Sequence, residues 1–404
     1  MRILLSDGSG LTARQVAGRL AASGHRVEVL SPDPLCLCRF TRSVAGVRRV
    51  PPFGADPLAW LEAALAAYRH GRFDVLFPTQ EQVGLLAAVP DRLRGAGVAT
   101  AVPSFTALAS VQDKASALRT LDALGIAQPP GAVGLRGWHH YPAYVKTPIG
   151  TASGGVRRVA RPEELTEAER GSADLVVQAA VDGPLAMCQS VFDHGTLVAF
   201  HANLRVAEGA GGGASHKASI DCPEARSSLG SLGAGLGWHG ALSADMILGH
   251  DGPVVIDVNP RLVEPNNAWY AGVDLVGALV SLARGDTPAV QASGRPGVAT
   301  HQTLLAVLGA AQRGTGRRGV AGALLDGWGH RGGRRGSREE LTPLRGDPLA
   351  ALPVVMASAA TLVHPAWWSW FTSGSVGNYA LTPEAWEVVR SLAAHGGPAA
   401  RRTS

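Results

Sequence analysis

Residues 241–261 constrain this chain more than any other stretch, because their pattern is that of a β-hairpin. Two apolar runs, Leu242–Leu248 and Val254–Val258, flank a short segment that contains an Asp-Gly pair. We expect a three-residue turn over 250–252, with Gly252 in the left-handed conformation that glycine adopts without strain. The sequence therefore predicts two antiparallel strands joined by a tight turn.

The register of this hairpin gathers polar side chains on one face. A three-residue turn places Asp245 directly across from Asp257, and Asn259 shares the face of Asp257 because side chains alternate along a strand. Two carboxylates and an amide oxygen are ligands that a hard cation such as Mg²⁺ prefers. The alternative is a solvated outer face, which needs no metal.

The end of the hairpin, Asp257-Val258-Asn259-Pro260-Arg261, resembles the metal-binding strand of the ATP-grasp superfamily of carboxylate ligases. That strand usually reads Glu-x-Asn-Pro-Arg and follows another acidic residue by about a dozen positions, here Asp245. The first carboxylate is one methylene shorter in this chain. The likeness covers roughly residues 106–290. It implies the ATP-grasp fold, in which two subdomains hold a nucleotide between them.

The three lysines of the chain all fall within this region, although the chain has 37 basic residues. A compact ammonium suits point contacts to phosphate oxygens. A predicted strand ends at Lys146 and leads into a glycine-rich segment, 147–156, whose backbone N–H groups can approach phosphate oxygens closely. The resemblance implies that ATP phosphates are held by Lys114, Lys146, Ser153, Gly154 and Gly155.

A predicted strand over 175–183 resembles the hinge strand of the family, whose backbone binds adenine. The resemblance implies adenine contacts from Gln178, Ala180 and Val181. In the family an acidic residue often follows the hinge glycine and binds the ribose, but Pro184 stands there in this chain. The nucleotide preference therefore stays open.

The resemblance implies an ATP-dependent carboxylate–amine ligase that acts through an acyl phosphate. Asp245, Asp257 and Asn259 would bind two Mg²⁺ ions, with Mn²⁺ as an alternative. We expect Arg261 to stabilise the acyl phosphate and its tetrahedral adduct with the amine, because a guanidinium forks onto two oxygens.

Two further cations are candidate catalytic residues. Lys217 follows the glycine-rich segment 208–216, which we expect to form a flexible lid that brings this lysine to the γ-phosphate. The alternative is a plain surface connection. Arg205, at the end of the preceding strand region, is the second candidate.

The predicted fold class is α/β and α+β, in three parts. Residues 1–105 form an open α/β domain, whose first turn, Ser6–Gly10, lacks the full dinucleotide-binding pattern. Thr79–Glu81 follows its third predicted strand and is a candidate substrate contact or helix cap. Residues 106–290 form the ATP-grasp domain, and 291–404 form a mostly helical C-terminal extension.

The C-terminal extension contains a segment, Leu349–Phe371, that is uncharged apart from His364 and rich in tryptophan. Pro353 and Pro365 argue against a membrane span. We favour a buried helix pair packed on the ligase core over contact with a membrane surface. Arginines cluster over 313–338, but aromatic residues for base stacking are scarce there, so we expect no nucleic-acid partner.

Composition bounds the remaining expectations. Apolar content of 46% and charged content of 17% are typical of a globular protein. Four scattered cysteines and the lack of a signal-peptide pattern favour the reducing cytoplasm. We expect a small carboxylate and an amine as substrates, and a homo-oligomer is compatible with the sequence. A biotin-carboxylase-like ligase with another acceptor, and an ATP-binding sensor without turnover, stay open as alternatives.

Overall fold

The computed structural model describes residues 1–151, 154–343 and 346–396, and its elements form three sheets surrounded by helices. The strands of the described residues are β1 Arg2–Leu5, β2 Arg26–Ser31, β3 Gly46–Arg49, β4 Val75–Phe77, β5 Gly131–Val133, β6 Ala143–Lys146, β7 Val156–Val159, β8 Val176–Ala179, β9 Leu185–Asp193, β10 Thr196–Glu208, β11 Ala214–Ile220, β12 Gly240–Gly249, β13 Gly252–Asn259, β14 Ala299–His301 and β15 Arg338–Glu339. The α-helices are α1 Leu11–Ala22, α2 Pro57–Gly71, α3 Gln82–Ala88, α4 Pro90–Gly95, α5 Phe105–Gln112, α6 Lys114–Ala123, α7 Glu167–Gly171, α8 Pro223–Leu236, α9 Asn266–Ala271, α10 Leu275–Ala283, α11 Thr303–Gln312, α12 Gly316–Gly329, α13 Leu352–Val363, α14 Trp368–Gly377 and α15 Pro383–Gly396.

The N-terminal sheet is parallel, with the strand order β3-β2-β1-β4. Strands β1, β2 and β4 match the predicted apolar runs and are almost wholly buried between helices. Strand β3 was not predicted, because its sequence Gly-Val-Arg-Arg lacks an apolar run and lies at a half-exposed edge of the sheet. This part confirms the predicted α/β class.

The central sheet has seven strands in the order β13-β12-β9-β10-β11-β14-β15. Its antiparallel part, β9–β13, belongs to the region that resembles ATP-grasp. Strands β14 and β15 come from beyond residue 290, so the predicted boundary at 290 does not separate a helical extension from the ATP-grasp sheet. These strands have three and two residues, which is too short to leave a periodic signal in the sequence.

A third sheet, of four strands in the order β5-β8-β6-β7, is antiparallel throughout. Strands β6 and β7 form a hairpin whose loop is the glycine-rich segment. The third sheet faces β13 of the central sheet, because the side chain of Lys146 in β6 contacts the backbone of Ile256 in β13. A cleft between these two sheets is lined by four residues of the predicted site, Lys114, Lys146, Gln178 and Asp257.

The hairpin β12–β13 differs from its predicted form at the turn. Gly249 pairs with Gly252, so the turn has two residues, and not three. A β-bulge at Ile256 adds one residue to β13 and restores the expected pairing of Asp245 with Asp257. The polar face was predicted correctly, whereas the turn was not, because the bulge compensates for the shorter turn.

Helices α13 and α14 contradict the predicted buried helix pair. Helix α13 packs on α11 with Val354, Ala357, Ser358 and Thr361, but its opposite face is exposed and apolar. The side chains on that face are exposed by 46–69%, at Val355, Met356 and Val363. Helix α14 has no buried residue, and Trp370 is 70% exposed. The apolar composition of this segment predicted burial, but composition does not determine which face of a helix packs against the rest of the protein.

Across residues 1–151, 154–343 and 346–396, no helix combines the length and the apolarity needed to cross a bilayer.

Candidate active site

Lys146 joins the two walls of the cleft. Its ammonium donates to the side-chain oxygen of Gln178 at 2.6 Å and to the carbonyl of Ile256 at 2.7 Å. Gln178 can reach Lys146 because β8 is the direct neighbour of β6. The carbonyl of Ile256 lies at the bulge in β13. Burial lowers the pKa of Lys146, while nearby Asp257 acts in the opposite direction. Both hydrogen-bond partners are neutral, so the positive charge stays directed at the cleft.

The cleft itself is lined by residues from α6, β6, β8 and β13. Lys114, the first residue of α6, lies in this lining together with Lys146, Gln178 and Asp257. The backbone N–H of Lys114 donates to the carbonyl of Pro148 at 3.0 Å, which fixes the helix start beside the glycine-rich loop. The structure thus brings together two of the three predicted phosphate-binding lysines.

The acidic face of the hairpin borders the same cleft. Asp245 lies directly across from Asp257 in adjacent strands, and Asn259 follows on the same face. Burial, and then the charge of Asp257, raises the pKa of Asp245 to about 7. Within the described residues, the side-chain oxygens of these three groups accept no hydrogen bond. Oxygens gathered without donors have the chemistry of a hard-cation site.

The glycine-rich loop joins β6 to β7, and the predicted contact Ser153 lies outside the described residues. Gly155 has a φ of 74°, and a Cβ there would lie 2.0 Å from the hydroxyl of Thr147, so the position requires glycine. Its carbonyl accepts from the N–H of Thr147 at 2.9 Å, and the N–H of Gly154 donates to Thr151 at 3.0 Å. The phosphate contacts of Gly154 and Gly155 stay predictions.

The predicted hinge begins in β8. The N–H of Ala180 donates to the carbonyl of Pro142 at 2.8 Å, so it is already engaged. An adenine at this edge would therefore use the carbonyl of Ala180 and the backbone of Val181. The side chain of Gln178 accepts from Lys146, which sequence reasoning did not foresee, and the adenine contacts of the hinge backbone stay predictions.

Arg261 lies where β13 ends and faces the N-terminal domain. Its Nε donates to Glu81 at 3.1 Å, and Ser243 donates to its backbone carbonyl at 2.8 Å. Glu81 comes from the predicted segment after β4, at the carboxyl end of a parallel strand. Arg205 lies on β10, donates to the carbonyl of Gly212 at 2.7 Å, and with Arg261 opposes the rise in the Asp245 pKa. Both arginines thus lie near the acidic face.

The lid prediction for Lys217 is wrong. Lys217 lies in β11, is almost fully buried, and forms ion pairs with Glu264 and, at 2.8 Å, with Glu340. Burial by itself lowers the pKa of Lys217, but the two carboxylates together raise it. Only 209–213 lie outside the strands, because β10 and β11 continue into the glycine-rich segment. This lysine neutralises buried carboxylates and is not on a mobile loop.

Sequence reasoning missed several polar groups beside Arg261. Asp7 follows β1, accepts backbone hydrogen bonds from Ser9 and from Gly10, and has a pKa raised to about 6 by burial. The link between α14 and α15 reaches the same place, since Asn378 donates to Ser9 at 2.9 Å and Tyr379 is buried near Asp7. The contacts of this link join positions hundreds of residues apart, and no local sequence motif predicts them.

Comparison with known proteins supports the architecture. No family model matches the chain, and neither does any curated protein. The biotin carboxylase domain of 2-oxoglutarate carboxylase from Hydrogenobacter thermophilus, solved with MgADP, ADP and bicarbonate, has 17% identity and a TM-score of 0.58, with 74% of this chain and 73% of that chain covered.

Two other solved structures are similar to this chain. The ADP complex of N5-carboxyaminoimidazole ribonucleotide synthetase has 14% identity and a TM-score of 0.59, with 78% of this chain and 85% of that chain covered. L-amino acid ligase from Bacillus licheniformis has 17% identity and a TM-score of 0.54, with 71% and 75% covered. With the lysine cleft and the acidic hairpin in place, these similarities show that this chain has the ATP-grasp fold.

Proposed function

We propose that this protein is an ATP-dependent ligase that activates a small carboxylate as an acyl phosphate and joins it to an amine. The observation that carries the proposal is the cleft in which Lys114 and Lys146 lie against the acidic face of Asp245 and Asp257. Cations on one wall suit the phosphates of ATP, and carboxylates on the other suit their metal ions. Three solved ligases or carboxylases of similar fold support the same assignment.

The residues of the acidic face fit magnesium. Asp245, Asp257 and Asn259 present oxygen atoms that accept no hydrogen bond from the described residues, and such oxygens are what Mg²⁺ prefers. When bound, magnesium neutralises phosphate charge during transfer of the γ-phosphoryl group. We propose that these residues hold two ions.

The phosphates of ATP would lie along the third sheet. The ammonium of Lys146 is held by two neutral acceptors and keeps its charge for an anion, and Lys114 adds a second charge at the start of α6. The glycine-rich loop between β6 and β7 would cover the phosphates from above.

Arg261 lies just beyond the end of β13, near the acidic face, and would orient the carboxylate that is activated. A guanidinium placed there stabilises the negative charge of the acyl phosphate and of its adduct with the amine. The pair with Glu81 holds Arg261 against the N-terminal domain, where Asp7 and the link carrying Tyr379 also lie. We assign the substrate pocket to this junction of the N-terminal domain with the end of β13.

The test is ADP release across a panel of amino acids and other small carboxylates, each with and without an amine, and with bicarbonate in a separate arm. Hydroxylamine traps an acyl phosphate as a hydroxamate. Release that requires both a carboxylate and an amine supports the proposal, whereas release that requires bicarbonate alone favours carboxylation. The absence of ADP release in every arm, although ATP binds, would favour a sensor.

A further inference from the structure

A second group of metal-ligating side chains lies away from the cleft, where the hairpin β9–β10 turns. His194 Nδ1 lies 2.8 Å from Asp193 Oδ1, and His239 Nδ1 lies 3.4 Å from the same oxygen. One ligand atom from each of the three side chains falls within 4.8 Å of the others. The two imidazole rings lie close together, with centroids 4.2 Å apart and planes inclined by 35°. The three side chains therefore hold three possible metal-ligand atoms close together.

The backbone holds this convergence in place. His194 and Gly195 have positive φ values of 44° and 90°, and they form the tight turn between β9 and β10. The N–H of Gly195 donates to the carbonyl of Trp238 at 2.7 Å, which ties the turn to the segment that carries His239. Trp238 is fully buried and anchors that segment in the core. The three ligands therefore sit on two segments that are joined by a hydrogen bond.

The surroundings of the cluster favour a cation. In the described parts of the chain, His239 Nδ1 is buried, makes no well-formed hydrogen bond and lies 3.4 Å from Asp193 Oδ1. His239 also follows the end of α8, where the carbonyl groups of the last turn carry partial negative charge.

The geometry points to a site for a divalent transition metal such as Zn²⁺, and we propose that Asp193, His194 and His239 bind it. Two imidazole nitrogens and one carboxylate oxygen form a common zinc ligand set, which leaves a fourth position for water. In a tetrahedral site with bonds of about 2.0–2.1 Å, ligand atoms lie about 3.3 Å apart. Two of the three separations, 2.8 and 3.4 Å, lie on either side of that value, and all three lie within 4.8 Å.

This site is distinct from the acidic face of the cleft. On β12, Gly240 pairs with Phe192 next to the cluster, whereas Asp245 pairs with Met187 five residues along. Five residues of an extended strand span about 17 Å. The cluster also differs in chemistry, because imidazole nitrogen suits zinc or cobalt, while the cleft offers only oxygen, which suits magnesium. The inference does not depend on the proposed ligase function.

The test is titration of the full chain with Co²⁺, whose visible absorption reports nitrogen ligands, in excess Mg²⁺ to occupy the oxygen site. The variant is His194→Ala, because this side chain is exposed and its loss does not disturb the core. The matched control is His250→Ala. His250 also lies in a hairpin turn, 2.9 Å from the adjacent Asp251, but no third ligand approaches it among the described residues.

We expect wild type and His250→Ala to bind Co²⁺ equally, with the absorption of a nitrogen-ligated ion, and to lose it to Zn²⁺. His194→Ala should bind Co²⁺ at least about tenfold more weakly. Equal binding by His194→Ala and wild type would overturn the proposal. Failure of wild type to bind Co²⁺ and Zn²⁺ would overturn it as well. Thermal unfolding with Zn²⁺ gives a second readout, since a ligand that binds only the folded state raises the melting temperature.

Discussion

Lys146 and Lys217 are two buried lysines of the same domain, and they have opposite surroundings. The ammonium of Lys146 contacts an amide oxygen and a backbone carbonyl, and no carboxylate of the described residues pairs with it directly. The ammonium of Lys217 contacts the carboxylates of Glu264 and Glu340. The charge of Lys217 is therefore neutralised within the fold, while that of Lys146 remains for a ligand. The scarcity of lysine drew attention to both positions, but only their hydrogen-bond and ion-pair partners separate the proposed phosphate-binding lysine, Lys146, from the structural one, Lys217.

The largest expected effect is on stability, from Lys217→Met. Removing this cation leaves Glu264 and Glu340 buried without their counter-ion, which should lower the free energy of unfolding by about 3–5 kcal/mol. Lys146→Met is the matched control and should cost much less, because its partners are neutral. Denaturant unfolding measures both. Equal losses of unfolding free energy in the two variants would contradict the distinction between the two lysines. Partial recovery of stability in Lys217→Met/Glu340→Gln would support it.

The next effect is on turnover, from Asp257→Asn. Loss of one ligand charge on the acidic face should lower kcat by on the order of a hundredfold, with the fold intact. Asp251→Asn is the control, since Asp251 lies in the exposed turn of the same hairpin. ADP release at saturating ATP and Mg²⁺ measures the effect. An Asp257→Asn enzyme as active as Asp251→Asn would contradict the metal assignment.

Arg261 combines features of both lysines, because it has a carboxylate partner, Glu81, and yet lies near the acidic face. If it acts on the acyl phosphate, Arg261→Lys should lower kcat about tenfold to a hundredfold, nearly as much as Arg261→Ala, since an ammonium does not reproduce the guanidinium fork. Nucleotide affinity should hardly change. Comparison of kcat with ADP affinity separates this role from phosphate binding. A large loss of nucleotide affinity with normal kcat would instead assign Arg261 to phosphate binding, the role proposed for Lys146.

The sequence predicts the parts of this protein that depend on local pattern. Alternation along β12 and β13 placed Asp245, Asp257 and Asn259 on one face, and apolar runs located β1, β2 and β4. The predicted turn of the hairpin was one residue too long. The bulge at Ile256, which compensates for the shorter turn, has no sequence signature.

The parts that escaped prediction depend on contacts between distant segments. Glu340 lies 123 residues from Lys217, and nothing near either residue indicates the pair. In the same way, two short strands from beyond residue 290 extend the central sheet, and the link after α14 reaches the N-terminal domain. In α13, apolar residues occupy both faces, so the hydrophobic pattern does not determine which face packs against α11. Burial and pairing are decided there by tertiary packing.

The most direct test of the central claim, that the nucleotide binds at Lys146 and not at Lys217, is calorimetric titration of MgADP into the full chain. We predict that wild type binds and that Lys146→Ala binds about tenfold to a hundredfold more weakly, since a charged phosphate contact contributes about 1.5–3 kcal/mol. Lys217→Met, measured at a temperature where it is folded, should keep wild-type affinity. Unchanged affinity in Lys146→Ala, or loss of affinity in folded Lys217→Met, would contradict the account.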